Sequence, residues 1–282
     1  MYYRFRLNKQ NILFFARLGM LTSMLLLMLL VVAPADAMAE PRWHVSNGAT
    51  IGDGKLLVDA ANISEGYFLA ACSEVTSHAL KLRVEKDGMT LTYDLDRNGQ
   101  YEVFPLQLGS GNYLVTLYEN VGGKKYAQQG VTNLAVTLSS ENVPFLYPNQ
   151  YVHYTEASAI VEEAVNLCEG KSAGEAWQAV CDFMASSFVY DYVKALTVTA
   201  GMLPDIDGAY ESRMGICQDL SAIMVGILRT QEIPARLMIG YADDNYHAWT
   251  MTNVDGQDQF FDPTAALSAI PKPVSYTLER YY

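Results

Sequence analysis

What the chain has little of narrows its chemistry. Four histidines and four cysteines among 282 residues leave few groups able to titrate near neutrality or to ligate a metal. No two of the cysteines, Cys72, Cys168, Cys181 and Cys217, form a C-x-x-C pair, so a structural zinc site is not expected. Basic residues are scarce as well. Nineteen Lys and Arg stand against 31 Asp and Glu, a net charge of −12, which argues against nucleic acid and against adsorption to anionic lipid. Beyond residue 40 no apolar run is long enough to span a membrane. The chain is expected to need no cofactor and no metal.

The start reads as a leader for export. Arg4, Arg6, Lys9 and Arg17 precede an apolar run from Leu18 to Ala33, then Pro34 and the small-residue sites Ala35-Asp36-Ala37 and Ala37-Met38-Ala39. That is the layout of a signal peptide. Cleavage after Ala39 removes four basic residues and one acidic residue, taking the charge to about −15. The expected product is secreted or extracytoplasmic, at the cell surface or in the envelope, without stable membrane insertion. Export permits disulfides: Cys168 and Cys181, on what read as successive helices, either bridge or stay as buried thiols.

From about Pro41 to Thr137 the pattern is β. Runs of β-formers occur at Gly66–Cys72, Ala79–Glu85, Met89–Asp94, Tyr101–Leu108, Asn112–Glu119 and Leu134–Leu138. Lys86-Asp87-Gly88, Arg97-Asn98-Gly99 and Gly122-Gly123 fall between them as turns. Leu80, Leu82 and Val84 alternate with Lys81, Arg83 and Glu85, giving one buried and one wet face. Strands spaced this closely predict an antiparallel, immunoglobulin-like β-sandwich. Asp94–Gly99 opens like an EF-hand calcium loop, but Pro105 stands at its twelfth position and no helix flanks it, so a hairpin turn is expected there.

The second half changes period. Ala157, Ile160, Val161, Ala164, Val165 and Leu167 predict one helix; Trp177, Val180, Cys181, Met184 and Phe188 predict a second, from about Gly174. A loop through Gly201, Pro204 and Gly208 leads to Gly215, after which Ile216, Leu220, Ile223, Met224, Ile227 and Leu228 mark a third helix with one apolar face, over 217–231. Strands follow at Ala235–Tyr241, His247–Val254 and Gln257–Phe261. The expected organisation is a leader at 1–39, a β-domain at 40–142, a linker at 143–156 and an α+β domain at 157–282.

Cys217 heads the third helix, where unpaired N–H groups and the helix dipole favour a thiolate. His44, His78 and His153 fall outside the α+β domain, which leaves His247 as the base. Asp255-Gly256 is the preferred centre of a two-residue hairpin, and pairing across it sets Val254 opposite Gln257, Trp249 opposite Asp262 and His247 opposite Thr264. His247 and Asp262 then become diagonal neighbours on one face, within side-chain reach. A one-residue slip would separate them. Asp219 is expected to point away along its helix, and Asp243 and Asp244 to lie in a turn. Singly, these are ordinary structural residues. Together, Cys217, His247 and Asp262 read as nucleophile, acid–base and orienter.

Gly215-Ile216-Cys217-Gln218-Asp219-Leu220-Ser221-Ala222, Ile233-Pro234-Ala235-Arg236, Gly240-Tyr241, His247-Ala248-Trp249 and Asp262-Pro263-Thr264 resemble, in order and spacing, the transglutaminase-like superfamily. The resemblance covers about Phe183 to Ala266. It implies a papain-like fold and the same three catalytic residues, with Tyr190 or Tyr192 lining the acyl site; apart from the resemblance, Trp249, Tyr246, Tyr241 and Tyr190 are aromatics expected to wall it. Glu232, where a Gly often precedes Ile-Pro-Ala-Arg, and Phe260-Phe261, where a Trp is common, are departures expected to change packing alone. The implied chemistry is acyl transfer or hydrolysis at a protein or peptide amide, through a thioester. An amine acceptor makes a transglutaminase; water makes a cysteine peptidase or an amidase of cell-wall peptides. A non-catalytic envelope protein is the rival from another class.

Overall fold

A computed structural model describes residues 41–46, 48, 50–268 and 274–282; the leader expected at 1–39 lies outside the described residues. The N-terminal region is built of eight strands: β1 (Thr50–Ile51), β2 (Leu56–Asp59), β3 (Tyr67–Cys72), β4 (Leu80–Lys86), β5 (Met89–Leu95), β6 (Glu102–Pro105), β7 (Gly111–Gly122) and β8 (Lys125–Val136). They pair as two four-stranded antiparallel sheets, in the orders β1-β2-β3-β6 and β5-β4-β7-β8. Leu80, Leu82 and Val84 are buried while Lys81, Arg83 and Glu85 stay wetter, as the alternation requires. One expectation fails here. Asn98-Gly99 does not close a hairpin, because β5 pairs with β4 and β6 with β3, so the turn carries the chain from one sheet to the other. A local turn signal specifies reversal, not the partner.

Helices α1 (Ala159–Cys168) and α2 (Ala173–Ser187) follow, then β9 (Val189–Tyr190), two short helices α3 (Tyr192–Thr197) and α4 (Ile206–Ser212), and β10 (Met214–Gly215). Ser172 closes a capping box with Glu175 at the start of α2, and Asp191 and Asp205 cap α3 and α4 by accepting the N–H groups of Lys194 and Gly208. The central helix α5 (Cys217–Thr230) and strands β11 (Ala235–Ala242), β12 (Asn245–Val254) and β13 (Gln257–Phe261) complete the pattern, followed by α6 (Pro263–Ala266) and β14 (Tyr276–Tyr281). The last sheet has the order β13-β12-β11-β14, antiparallel throughout.

α5 is not amphipathic in place. Every residue from Asp219 to Thr230 is buried, because α1, α2 and α4 pack on it together with β11 and β12. Of its buried polar members, Arg229 is satisfied inside: it donates to the carbonyls of Ala235, Tyr147 and Tyr282 at 2.9, 2.6 and 2.9 Å, whereas the Ser221 hydroxyl has no partner among the described residues. Glu232, just past its end, holds a positive φ of 56°. The departure from Gly there is thus a backbone matter rather than one of packing, since a side chain in the left-handed region costs about 1 kcal/mol. Cys168 and Cys181 do not bridge; all four cysteines are free, and only Cys217 is more than slightly exposed.

Candidate active site

The β12–β13 hairpin turns at Asp255 and Gly256, whose φ values of 51° and 82° are those a two-residue type I′ turn demands. Glycine at the second position meets this at no steric cost. From there the register runs Val254↔Gln257 to Thr250↔Phe261. It then departs from a simple extension. β13 stops at Phe261, and Asp262 leaves the strand to cap α6, its Oδ1 accepting from the N–H groups of Thr264 and Ala265 at 2.9 and 3.0 Å. Thr264 therefore lies in a helix and not opposite His247. The exit brings the other carboxylate oxygen onto the imidazole: His247 Nε2 lies 2.8 Å from Asp262 Oδ2.

Sequence reasoning missed a third member of this cluster. Tyr276, at the start of β14, donates from its hydroxyl to the same Asp262 Oδ2 at 2.7 Å, and its ring lies 5.1 Å from that of Trp249. The run Tyr276-Thr277-Leu278, rich in β-formers, was the available signal.

Burial opposes charge on His247. The hydrogen bond to Asp262, and the influence of the nearby Asp262 and Cys217 side chains, outweigh it and hold the imidazole up at about 9. Burial likewise opposes charge on Asp262, yet its bonds to His247, Tyr276 and the Ala265 N–H keep the carboxyl below the usual range. With Nε2 engaged by the carboxylate, Nδ1 is left for the sulphur, an orientation fixed by the carboxylate and not by the thiol.

Cys217 is the first residue of α5, half-buried. Gly215, two residues before it, pairs with Tyr190 across the short parallel ladder of β9 and β10. Asp219 does not point away along the helix. Its carboxylate folds back over the helix start, where it accepts from the Ile216 N–H at 3.0 Å and from the Asp205 N–H at 3.0 Å, and pairs with Lys194 Nζ at 2.7 Å. Gly215 leaves it room: a Cβ there would stand 2.9 Å from the Asp219 Cβ and 3.2 Å from that of Ala209. Asp243 accepts from the Ser275 N–H at 3.0 Å, tying the β11–β12 turn to the approach of β14.

A cavity of about 940 Å³ opens beside the pair, walled by Phe188, Tyr190, Tyr192, His247, Asp262 and Tyr276 among others. Cys217 is not among its walls. Burial first, then the fields of Cys217 and Tyr192, push the Tyr190 hydroxyl up to about 12. The other expected lining residues lie elsewhere. Trp249 is buried, its ring nearly parallel to the His247 imidazole at 6.5 Å. Tyr246, next to His247 on a strand, must face the opposite side, where its exposed hydroxyl accepts from Arg280 at 2.6 Å. Among the described residues no group of three His, Cys, Asp or Glu side chains is placed to hold a metal.

A thiol at a helix head, an imidazole on the following hairpin and a carboxylate just past the hairpin's end thus lie together. Residues 158–263 match the transglutaminase-like superfamily. This transglutaminase-like core contains Cys217, His247 and Asp262 and ends just short of Tyr276. None of the curated proteins matches the chain. Solved structures similar to it include a TGase, at 16% identity and a TM-score of 0.34, covering 41% of this chain and 32% of that one. The chain therefore spans about a third of that protein's length. A candidate cysteine protease from Cytophaga hutchinsonii has 14% identity and a TM-score of 0.39, covering 86% of this chain and 82% of that one. The periplasmic domain of TgpA from Pseudomonas aeruginosa has 15% identity and a TM-score of 0.37, covering 81% and 78%.

Proposed function

We propose that the protein is an extracytoplasmic thiol acyltransferase of the transglutaminase-like kind, acting on protein or peptide amides through Cys217, His247 and Asp262. The observation that carries the reading is the 2.8 Å His247–Asp262 contact, close enough to the thiol that heads α5 for its field to act on the imidazole. With the imidazole held up at about 9, His247 already carries the proton near neutral pH, and catalysis begins as the anionic sulphur beside it attacks the amide carbon. The C–N bond breaks as His247 returns that proton to the leaving amine, and a thioester remains on Cys217. In the second half an amine or water attacks the thioester, His247 takes its proton, and the C–S bond breaks to restore the thiol. Asp262 holds the ring in one orientation and supports its positive charge throughout. The Cys217 N–H, at the unpaired start of α5, is the donor suited to the oxyanion.

The acceptor we favour is an amine. Phe188, Tyr190, Tyr192, Phe260 and Tyr276 give the cavity beside His247 and Asp262 an aromatic wall, surroundings that favour an amine over water as acceptor. In this reading 157–282 is the catalytic unit, the sheets of 40–142 are an immunoglobulin-like accessory sandwich, and 1–39 directs export. Mass spectrometry of a peptide library incubated with the protein, with and without a primary amine, tests it, with Cys217→Ala as the blank. Amine-dependent mass gain is the expected result. Backbone or cell-wall peptide cleavage without amine uptake would make the protein a cysteine peptidase or amidase instead. Products equal to those of the Cys217→Ala blank would sink the enzymatic reading altogether and favour a binding role in the envelope.

A further inference from the structure

The reaction above makes no use of Asp219, yet this carboxylate is wholly buried two residues from the nucleophile. Its partners come from three separate segments: Lys194 on α3, the Asp205 N–H at the entry to α4, and the Ile216 N–H immediately before Cys217. Together they clamp the point where the chain enters α5. The clamp has an electrostatic side. A helix start favours negative charge through its unpaired N–H groups and its dipole, and an anionic sulphur on Cys217 would draw on the same field. Two anions in one turn disfavour each other, more strongly where water is excluded. A clamp built on a carboxylate therefore opposes the nucleophile unless a cation answers it.

The charged neighbours leave that task to Lys194. Asp191, between β9 and α3, accepts from the Lys194 N–H at 2.8 Å, and Asp205 from the Gly208 N–H at 3.0 Å. Both add negative charge. Arg213, directly ahead of β10, turns to Glu163 at 3.6 Å and to the Tyr210 ring at 4.1 Å. On the β12 side His247 and Asp262 are committed to each other, and Tyr190 on β9 offers only a phenol. The Lys194 side chain is three-quarters buried and its ammonium lies against the Asp219 carboxylate.

We infer that Lys194 is a positioning residue for Cys217: its ammonium neutralises Asp219, so that Asp219 can hold the entry to α5 without opposing negative charge on the sulphur. The inference rests on Cys217 being the nucleophile. Its test is alkylation of Cys217 by iodoacetamide, followed by mass spectrometry between about pH 6 and pH 10, on the whole protein and on its Lys194→Arg, Lys194→Met, Lys194→Gln and His247→Gln variants. Lys194→Arg, which keeps the charge, is expected to react within about threefold of the parent. Lys194→Met and Lys194→Gln are expected to react about tenfold more slowly near pH 7, with the gap closing by about pH 10. A role in packing alone would slow the reaction equally at every pH, and that result overturns the inference, as does a rate at pH 7 equal to the parent's. The Gln variant keeps a hydrogen bond to Asp219 and decides the matter if the Met variant melts early. Fast, His247-dependent alkylation that ignores Lys194 overturns this inference alone. Slow alkylation of the parent, indifferent to His247, overturns the nucleophile reading and the inference with it.

Discussion

His247 gains its proton affinity from neighbours that exist only in the folded chain, so the imidazole links stability to pH. Its ordinary value of 6.5 rises to about 9 on folding. Its contribution is therefore complete below about pH 6.5 and is lost as pH climbs through 9. Asp262 runs the other way: held low, it contributes above the ordinary carboxylate range and loses that contribution in acid. Both act in full between about pH 4 and pH 6.5. His247→Gln is thus expected to lower stability by about 2 kcal/mol near pH 6 and by little near pH 10. Thermal melts of parent and variant at the two pH values measure this; an equal gap at both would contradict the raised affinity. Asp262 itself is held from both ends, Oδ1 by two main-chain N–H groups and Oδ2 by His247 and Tyr276. Four donors on one carboxylate leave it little freedom to rotate.

At the level of elements, the central helix is as good as the few residues before it. A methyl at position 215 would meet the Asp219 Cβ at 2.9 Å, closer than carbon atoms tolerate, with the Ala209 Cβ at 3.2 Å on its other side. Gly215→Ala is expected to cost about 1–3 kcal/mol and to slow Cys217 alkylation, because the Asp219 clamp must shift to make room. Denaturant melts and alkylation rates check the two effects; a stable variant that still alkylates at the parent's rate would show the glycine to be dispensable.

The same stretch shows what could be read in advance. Helices α1, α2 and α5 are long enough for a period to show, and the two-residue Asp-Gly turn settled the register of β12 on β13 as far as Thr250, short of His247. α3 and α4, of six and seven residues, are too short for a period to emerge. Asp191 and Asp205 were their legible signals, as caps. The destination of Asp219 was legible only at one of its three partners, the Ile216 N–H, which an acid at the third helical position can reach. Its partners on α3 and before α4 are set by tertiary packing, so a helical wheel, which sees only its own helix, sent it outward. The sheet change after Asn98-Gly99 escaped for the same reason.

Across the whole molecule, the N-terminal sheets and the core that follows share one interior. Tyr282 stacks on Tyr151 at 3.6 Å and meets Tyr93 of β5 edge-on at 5.9 Å, while the Gln107 amide donates to the Tyr281 carbonyl at 3.1 Å. Arg229 lies under this seam, wholly buried, its guanidinium bonded to main chain from the connector, from β11 and from the end of the last sheet. Burial draws it down to about 10, and burial together with its charge drives the nearby His44 down to about 3. Replacing it strands three carbonyls in the interior. Arg229→Met is expected to cost about 3–5 kcal/mol, with the sheets and the helical core melting together at a lower temperature. Loss confined to the helical signal, with the β signal unmoved, would show that the seam does not couple the two.

The His247–Asp262 hairpin has a consequence for the order of assembly. Its partners are 15 residues apart and joined by a tight turn, a contact of short loop that closes quickly and at small entropic cost. The sulphur belongs to another element, brought in only when α5 seats against β12. During folding the acid–base half of the site can form locally, whereas the thiol acquires its partner only once α5 docks on β12. A partly folded chain therefore carries only an ordinary thiol, and catalytic competence arrives together with the native packing that controls it.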